Sequence, residues 1–215
     1  MHQKGIQGSS SASAAILASG ICPAALGTDG RGSVRIPSSL CGEVGLKATF
    51  GCTDMEGLFC SGTLEIIGTI ASTVEDVMLV QENLAWPTLC SKFIFDNPNI
   101  LGSMRLGKYS ASFNDVYSTD ISEKCEDALN LLSKTHGCEQ VLLLSHSSYI
   151  VNPSLFIIKK PNDSFKLLMF SDAFQSFVSG YLMRFVLAAN LIGLPAITVP
   201  VNDTHFSPRR KTAFL

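Results

Sequence analysis

The chain has 215 residues, of which 46% are hydrophobic and 16% charged, and its mean hydropathy is +0.28. This length allows one sizeable hydrophobic core or at most two small ones, and the composition is more apolar than that of an average soluble domain. The net charge is −2 and the pI about 6.1; since nucleic acids bind to concentrated positive charge, we expect no nucleic-acid partner.

The cysteines indicate a reducing environment. None belongs to a CxxC pair or to a Cys/His spacing typical of zinc sites, and the seven positions are Cys22, Cys41, Cys52, Cys60, Cys90, Cys125 and Cys138. An odd number in apolar sequence is typical of free thiols, so we expect a cytoplasmic or membrane-associated protein. The amino terminus has no apolar leader, and the apolar stretch 181–201 contains Arg184, Asn190 and two prolines, which argues against a membrane span.

In the first quarter of the chain, small residues and glycines predict short, tightly packed elements. Residues 8–20 favour a helix, with serines able to cap its start and Gly20 suited to its exit. A glycine-rich loop is expected at 27–33. Around this loop the sequence predicts a strand at 24–27, a short helix at 38–41 and a strand at 44–50.

Further along, helices and strands alternate. Residues 72–75 (Ser-Thr-Val-Glu) form a capping-box pattern that predicts a helix over 73–85. The remaining predicted elements are strands at 105–109, 141–144 and 196–201, and helices at 122–136 and 180–191. This alternation predicts an α/β fold.

Two turns are rich in serine and glycine: residues 8–11 (Gly-Ser-Ser-Ser) and residues 27–35 (Gly-Thr-Asp-Gly-Arg-Gly-Ser-Val-Arg). Ser9 in the first turn lies 24 residues before Ser33 in the second. Glycines beside a serine let backbone N–H groups converge on one point, as an oxyanion hole requires. The alternative reading is a helix cap or a tight loop, since these residues are turn formers first. Because His2, His136, His146 and His205 lie in unrelated contexts, a Ser-His-Asp triad is not expected; serine with a second serine and a lysine is the remaining option.

The order of residues in these turns closely resembles the amidase signature, in register from residues 8–11 through 24–47. The later stretches 53–55, 62–68, 106–109 and 180–186 look most like the plant-type fatty acid amide hydrolases. The resemblance implies an α/β/α sandwich around a mixed sheet, here incomplete. It also implies a reaction that needs no cofactor and no metal.

The resemblance further implies a Ser-cisSer-Lys mechanism. Ser33 is then the nucleophile, Ser9 the bridging serine held by a cis peptide, and Ser10 a supporting neighbour. The oxyanion loop corresponds to the backbone N–H groups of Gly30, Arg31, Gly32 and Ser33. Asp29 and Arg35 match supporting polar positions for which a structural role is equally expected, and the resemblance makes Lys47 structural.

The sequence departs from the family pattern in four places. The catalytic lysine of the family lies well upstream of the bridging serine, and only eight residues precede Ser9, with Lys4 in a context that does not match; we therefore expect the catalytic lysine to be absent. Arg31 replaces a glycine. Residues 140–170 match nothing in the family, and 202–215 form an atypical tail. We expect one partial amidase domain over 1–215.

By this resemblance the chain is an amide-bond hydrolase similar to enzymes that act on N-acylethanolamines, and inactive as this fragment. Its expected partner is a small-molecule acyl amide substrate. The resemblance also makes peripheral membrane contact and a homodimer possible arrangements. The first alternative is an amidase that resembles the ammonia-releasing subunit of glutamyl-tRNA amidotransferase. The second is a catalytically dead fragment that binds lipid or a partner.

Overall fold

The computed structural model describes residues 9–58, 64–85, 102, 105–109, 119–143, 186 and 189–200. Helices and strands alternate along them, which confirms the α/β class. In chain order the elements are α1 Ser11–Ala18, β1 Ala24–Asp29, α2 Arg35–Cys41, β2 Val44–Lys47, β3 Ile66–Ala71, α3 Val74–Leu84, β4 Arg105–Tyr109, α4 Thr119–His136, β5 Glu139–Leu143 and β6 Ala196–Thr198.

Four strands form the main sheet, in the order β1-β3-β2-β6, and every neighbouring pair is antiparallel. Strands β4 and β5 pair in parallel in a second, two-stranded sheet. Both kinds of pairing expected for a mixed architecture are present, but within the described residues they fall in separate sheets. Because β3 lies between β1 and β2, it fixes the spacing of the two strands that lead into and away from the glycine-rich turn.

Helices cover both faces of the main sheet. Ile70 packs with Ala14 and Leu17 of α1, whereas its neighbour Ala71 packs with Val77 of α3. Successive side chains of a strand point to opposite faces of the sheet. The helices α1 and α3 therefore lie on opposite sides of β3, which gives the α/β/α layering that the resemblance implies.

The predicted helix over 8–20 is confirmed over 11–18, but its expected serine cap is not. Ser10 occupies the N-cap position and makes no capping bond to the helix. Its hydroxyl instead donates to the carbonyl oxygen of Thr28 at 3.3 Å. Ser10 thus joins the start of α1 to the end of β1, and Gly20 (φ +77°) takes the left-handed conformation just beyond the helix, as expected.

The loop expected at 27–33 is shorter in the structure, because β1 continues to Asp29 and α2 already begins at Arg35 rather than at residue 38. The early start of α2 has a tertiary cause. One carboxylate oxygen of Asp29 accepts the N–H groups of Val34 (3.3 Å) and Arg35 (3.4 Å), groups that no residue inside the helix can satisfy. Strand β2 ends at Lys47, before the predicted residue 50.

Two further differences concern strands and the carboxyl-terminal part of the chain. Strand β3 was not predicted, although it is one of the two inner strands of the main sheet. Residues 140–143, the start of the expected atypical segment, belong to β5 and pair with β4. Residues 144–170 and the tail 202–215 lie outside the described residues, so poor packing there stays a prediction. Of the helix expected at 180–191, the described residues 186 and 189–191 are helical.

The predicted capping box before α3 is displaced by one residue. The N-cap is Thr73, not Ser72, and its hydroxyl oxygen accepts the N–H of Asp76 at 3.1 Å. The same hydroxyl donates to the Asp76 carboxylate at 2.8 Å. Asp76, rather than Glu75, is therefore the acidic partner of the cap.

We expect Thr73→Ala to lower the free energy of unfolding by about 1 kcal/mol, because it removes the acceptor of an otherwise unpaired helix N–H. Ser72→Ala is the matched control, since Ser72 is exposed and immediately precedes the cap. Urea titration followed by circular dichroism measures both. Equal losses in the two variants would contradict the assignment of Thr73 as the cap.

Candidate active site

The candidate nucleophile lies in the turn between β1 and α2. Ser33 is half-buried there, and Arg31 is exposed. Gly32 is buried with φ +91°, and a Cβ on it would come within 2.6 Å of Cγ2 of Val186 and 3.0 Å of Cδ1 of Ile36. This position therefore requires glycine both for its backbone conformation and for its close packing.

The carboxylate of Asp29 holds this turn. One oxygen accepts the N–H of Gly32 at 2.7 Å, and the other accepts the helix N–H groups described above. The guanidinium of Arg35 closes the arrangement with Nε to one carboxylate oxygen and Nη2 to the other, both at 3.0 Å. Asp29 is 0% and Arg35 3% exposed. The pair is thus a buried two-point ion pair that fixes where α2 begins.

Asn190 joins the same network from a distant part of the chain. Its amide nitrogen donates to the backbone carbonyl of Asp29 at 2.8 Å, to its carboxylate at 3.1 Å and to the carbonyl of Leu64 at 3.2 Å. Its amide oxygen accepts from Nη2 of Arg35 at 2.6 Å. Asn190 was not predicted as a site residue. The available signal was an amide side chain within the apolar stretch 181–201.

The charged state of Asp29 is stabilised by its partners. Burial alone would raise the pKa of this carboxyl, but the hydrogen bonds and charge of Arg35, with the N–H of Gly32 and the amide of Asn190, outweigh it and hold the pKa below the ordinary value of 3.8. A carboxylate that stays ionised and accepts this many donors is a structural anchor. Asp29 and Arg35 accordingly position the turn.

Lys47 is buried in β2, and its ammonium group is hydrogen-bonded. Its ammonium donates to the backbone carbonyls of Ala48 at 2.9 Å and Leu194 at 2.7 Å, and the residue is 1% exposed. Burial and, secondly, the charge of Arg35 lower the pKa of Lys47 to about 8, against smaller opposing effects of Asp29 and Cys52. These contacts tie β2 to the segment before β6, which agrees with the structural role that the resemblance implies.

We expect the stability of the wild-type chain to rise between pH 8 and 10.5 relative to Lys47→Met. In that window the unfolded lysine is protonated and the folded one is not, so the unfolded state binds more protons and stability increases with pH. Below pH 8 the cost of burying the ammonium is present in full. Urea midpoints measured across this range test the prediction.

Lys134→Met, at an exposed position of α4, is the control and should retain the rise. Parallel profiles for the wild type and Lys47→Met would contradict the lowered pKa of Lys47.

The four backbone N–H groups expected to form the oxyanion loop are not equivalent. The N–H of Gly32 is directed at the Asp29 carboxylate. In the part of the chain that the structure describes, no acceptor takes the N–H of Gly30, Arg31 or Ser33. The turn therefore offers three donors, and Gly32 contributes its conformation.

The two serines of the first turn differ in environment. Ser9 is exposed and Ser10 is buried against β1, where a Cβ on Gly27 would meet the Ser10 Oγ at 2.2 Å. Within the described residues no peptide bond is cis, so the bond that joins Ser9 to Ser10 is trans. The bond that precedes Ser9 involves Gly8, and a cis peptide there stays a prediction. Gly8 lies outside the described residues, and the contact between the hydroxyls of Ser9 and Ser33 stays a prediction.

The described residues contain no group of three or more histidine, cysteine, aspartate or glutamate side chains arranged to hold a metal ion. Among the same residues, no helix is long and apolar enough to cross a membrane. Lys4, the one lysine upstream of Ser9, lies outside them.

Comparison with known proteins places this turn in a family. The family model described as Amidase matches residues 4–160, which is more than half of the chain. The chain belongs to the amidase family. The match continues to residue 160, so the expectation that residues 140–170 match nothing in the family is wrong for the first part of that segment.

Within the family the chain resembles plant enzymes. It is 41% identical over 281 aligned residues to a fatty acid amide hydrolase of Medicago truncatula, covering 90% of this chain and 46% of that protein. The fatty acid amide hydrolase of Arabidopsis thaliana is 39% identical with the same coverage. A glutamyl-tRNA(Gln) amidotransferase subunit of Methanosarcina mazei is 29% identical over 80% of the chain and 38% of that protein.

The chain spans about half the length of these plant relatives. The 281 aligned residues exceed the 215 residues of the chain, so the alignment opens gaps in this chain. These gaps are consistent with residues that the relatives have and this chain lacks internally.

Solved structures show the same fold. The corresponding glutamyl-tRNA(Gln) amidotransferase subunit of Thermotoga maritima matches with a TM-score of 0.65 and 24% identity, over 92% of this chain and 59% of that one. A peptide amidase in complex with chymostatin matches with a TM-score of 0.54 and 26% identity, over 63% and 30%. These matches confirm the amidase-signature architecture.

Proposed function

We propose that this chain carries the nucleophile half of an acyl-amide hydrolase, with Ser33 as the attacking residue. The observation that carries the proposal is the turn held by Asp29, which fixes a half-buried serine beside three backbone N–H groups with no acceptor in the described chain. Attack of a serine hydroxyl on an amide carbonyl places negative charge on the carbonyl oxygen, and converging N–H donors stabilise that charge.

The relatives support a choice of substrate class. The identity of 41% to a fatty acid amide hydrolase over 90% of the chain exceeds the 29% to an amidotransferase subunit over 80%. We therefore propose a long-chain acyl amide rather than the side-chain amide of glutamine. Ser9 would pass the proton of Ser33 to a lysine, as the amidase signature implies.

We further propose that the 215-residue polypeptide by itself turns over such amides slowly. A serine hydroxyl is a weak nucleophile until a base accepts its proton. Lys47 cannot serve as this base, because its ammonium is buried and hydrogen-bonded to two backbone carbonyls. In other serine hydrolases the loss of one triad member removes roughly 10⁴–10⁶ of the rate.

The test combines covalent labelling with turnover. A fluorophosphonate carrying a long alkyl chain should slowly label the peptide that contains Ser33 on prolonged exposure, since the hydroxyl lacks a base, and the label should disappear in Ser33→Ala. Ser19→Ala is the control, since this exposed hydroxyl only donates to the carbonyl of Ile16 within α1. Hydrolysis of a fluorogenic long-chain acyl amide should be about 10⁴-fold or more below that of a plant relative assayed in parallel.

Labelling that survives in Ser33→Ala, or no labelling of protein that circular dichroism shows to be folded, would contradict Ser33 as the nucleophile. Turnover within tenfold of the plant enzyme would contradict the low rate. Preferential release of ammonia from glutamine would favour the amidotransferase alternative.

A further inference from the structure

The turn that holds Ser33 also carries an exposed positive charge. Arg31 lies between Gly30 and Gly32, two residues before Ser33, and its side chain is exposed. Within the part of the chain that the structure describes, Arg31 takes part in no ion pair and no hydrogen bond. Its guanidinium is therefore available to a ligand that binds at the turn.

The other described charged side chains near the turn already have partners. Asp29 and Arg35 neutralise each other in the buried pair, and Lys47 is enclosed by backbone carbonyls. The side chain of Glu65 lies beside Gly30, where an added Cβ would be 3.4 Å from its Cδ, and Glu65 has interactions of its own. Among the described residues at this turn, Arg31 is an exposed cation and Glu65 is the carboxylate beside Gly30.

Arg31 is close enough to act on a bound amide. The Cα atoms of residues 31 and 33 are at most about 7 Å apart, because they are two positions apart in the chain. A guanidinium at residue 31 acts on a charge bound beside Ser33 when the two lie within the screening length of about 8 Å at physiological ionic strength. A guanidinium also matches a carboxylate with two parallel hydrogen bonds, which a neutral headgroup cannot accept in the same way.

We infer that Arg31 is a specificity-determining residue that selects acyl amides bearing a carboxylate on their amine portion. The inference rests on the proposed function of Ser33 as the nucleophile for an acyl amide. The charge is placed on the amine portion because the acyl portion of a fatty amide is hydrocarbon. The preferred substrate class is therefore an N-acyl amino acid rather than a neutral N-acylethanolamine.

Equilibrium binding tests this without requiring turnover. N-dodecanoylglycine and N-dodecanoylethanolamine share the acyl chain and differ in the charge of the headgroup. Calorimetry with the 215-residue chain should give about fivefold tighter binding of the glycine amide, the effect of one partly screened charge pair at contact distance. High salt should reduce that ratio, because it shortens the screening length.

The ratio of the two dissociation constants in variants of Arg31 shows whether this residue causes the preference. Arg31→Gln should bring it to about one, and Arg31→Lys should keep a preference for the carboxylate, since the positive charge remains. Arg105→Gln is the control, because it removes the same charge from an exposed position in β4 and should leave the ratio unchanged.

Equal binding of the two amides by the wild type, or a ratio that Arg31→Gln does not alter, overturns the role of Arg31 while leaving Ser33 as the proposed nucleophile. A ratio lowered equally by Arg105→Gln overturns it as well, since the effect is then one of net charge. Failure of both amides to bind overturns it too. The separate labelling of Ser33 decides whether the proposed function fails with it.

Discussion

Replacing Arg35 with methionine is expected to lower the free energy of unfolding by about 3–5 kcal/mol, the cost of leaving one member of a buried ion pair without its partner. The carboxylate of Asp29 would keep its N–H donors but lose both bonds from the guanidinium. Methionine fills a similar volume, so the loss reports the charge rather than a cavity. Urea unfolding followed by circular dichroism gives the value.

Lys108→Met provides the matched control. Lys108 forms an ion pair with Glu126 whose side chains are 23% and 41% exposed, and pairs at the surface contribute about 0–1 kcal/mol. A loss below about 1 kcal/mol for Arg35→Met, or equal losses in the two variants, would mean that the buried pair does not anchor the turn.

The pH dependence of Arg35→Met gives an independent check. The folded pKa of Asp29 lies below its ordinary value of 3.8, so the wild-type stabilisation is present in full above that pH and is lost as the pH falls through the folded pKa. Without Arg35, burial becomes the dominant influence and raises this pKa. The variant should therefore start to lose stability on acidification at a higher pH than the wild type.

Gly32→Ala is expected to cost about 2–5 kcal/mol, the sum of backbone strain and overpacking. The φ angle of +91° is unfavourable for alanine, and the added Cβ would lie 2.6 Å from Cγ2 of Val186. Relief requires the turn to move away from the carboxyl-terminal segment, which would also disturb the bond from the N–H of Gly32 to Asp29. Denaturant unfolding and labelling of Ser33 should both report the change.

Gly57→Ala separates the two causes. Its φ of +78° carries the same kind of strain, but nothing lies within 4 Å of the added Cβ, so we expect a loss of only about 1 kcal/mol. Equal losses for Gly32→Ala and Gly57→Ala would show that packing against Val186 contributes nothing.

Part of this protein can be predicted from local sequence alone. The helices at 11–18, 74–84 and 119–136 follow from small-residue composition, a capping pattern and helical periodicity, and the glycine-rich turn follows from its residues. Such signals act between residues a few positions apart, so they survive without knowledge of the fold. Even here the N-cap residue is Thr73 and not the predicted Ser72, because the preference for serine and threonine does not distinguish adjacent positions.

The resemblance to the amidase signature identified the family and the α/β class. It did not establish the roles of individual residues. Ser33 as nucleophile and Ser9 as proton carrier stay proposals, and Arg31 required the structure to show that its side chain is exposed and without a partner in the described chain.

What the tertiary structure alone decided is how the turn is held. The strand β3 was missed because its residues meet their partners in β1 and β2 only in the folded sheet. Asn190 bonds to Asp29 across 161 positions of sequence, and Lys47 reaches the carbonyl of Leu194 across 147. No periodicity encodes contacts at such separations, because burial and hydrogen-bond partners exist only once the elements have packed together.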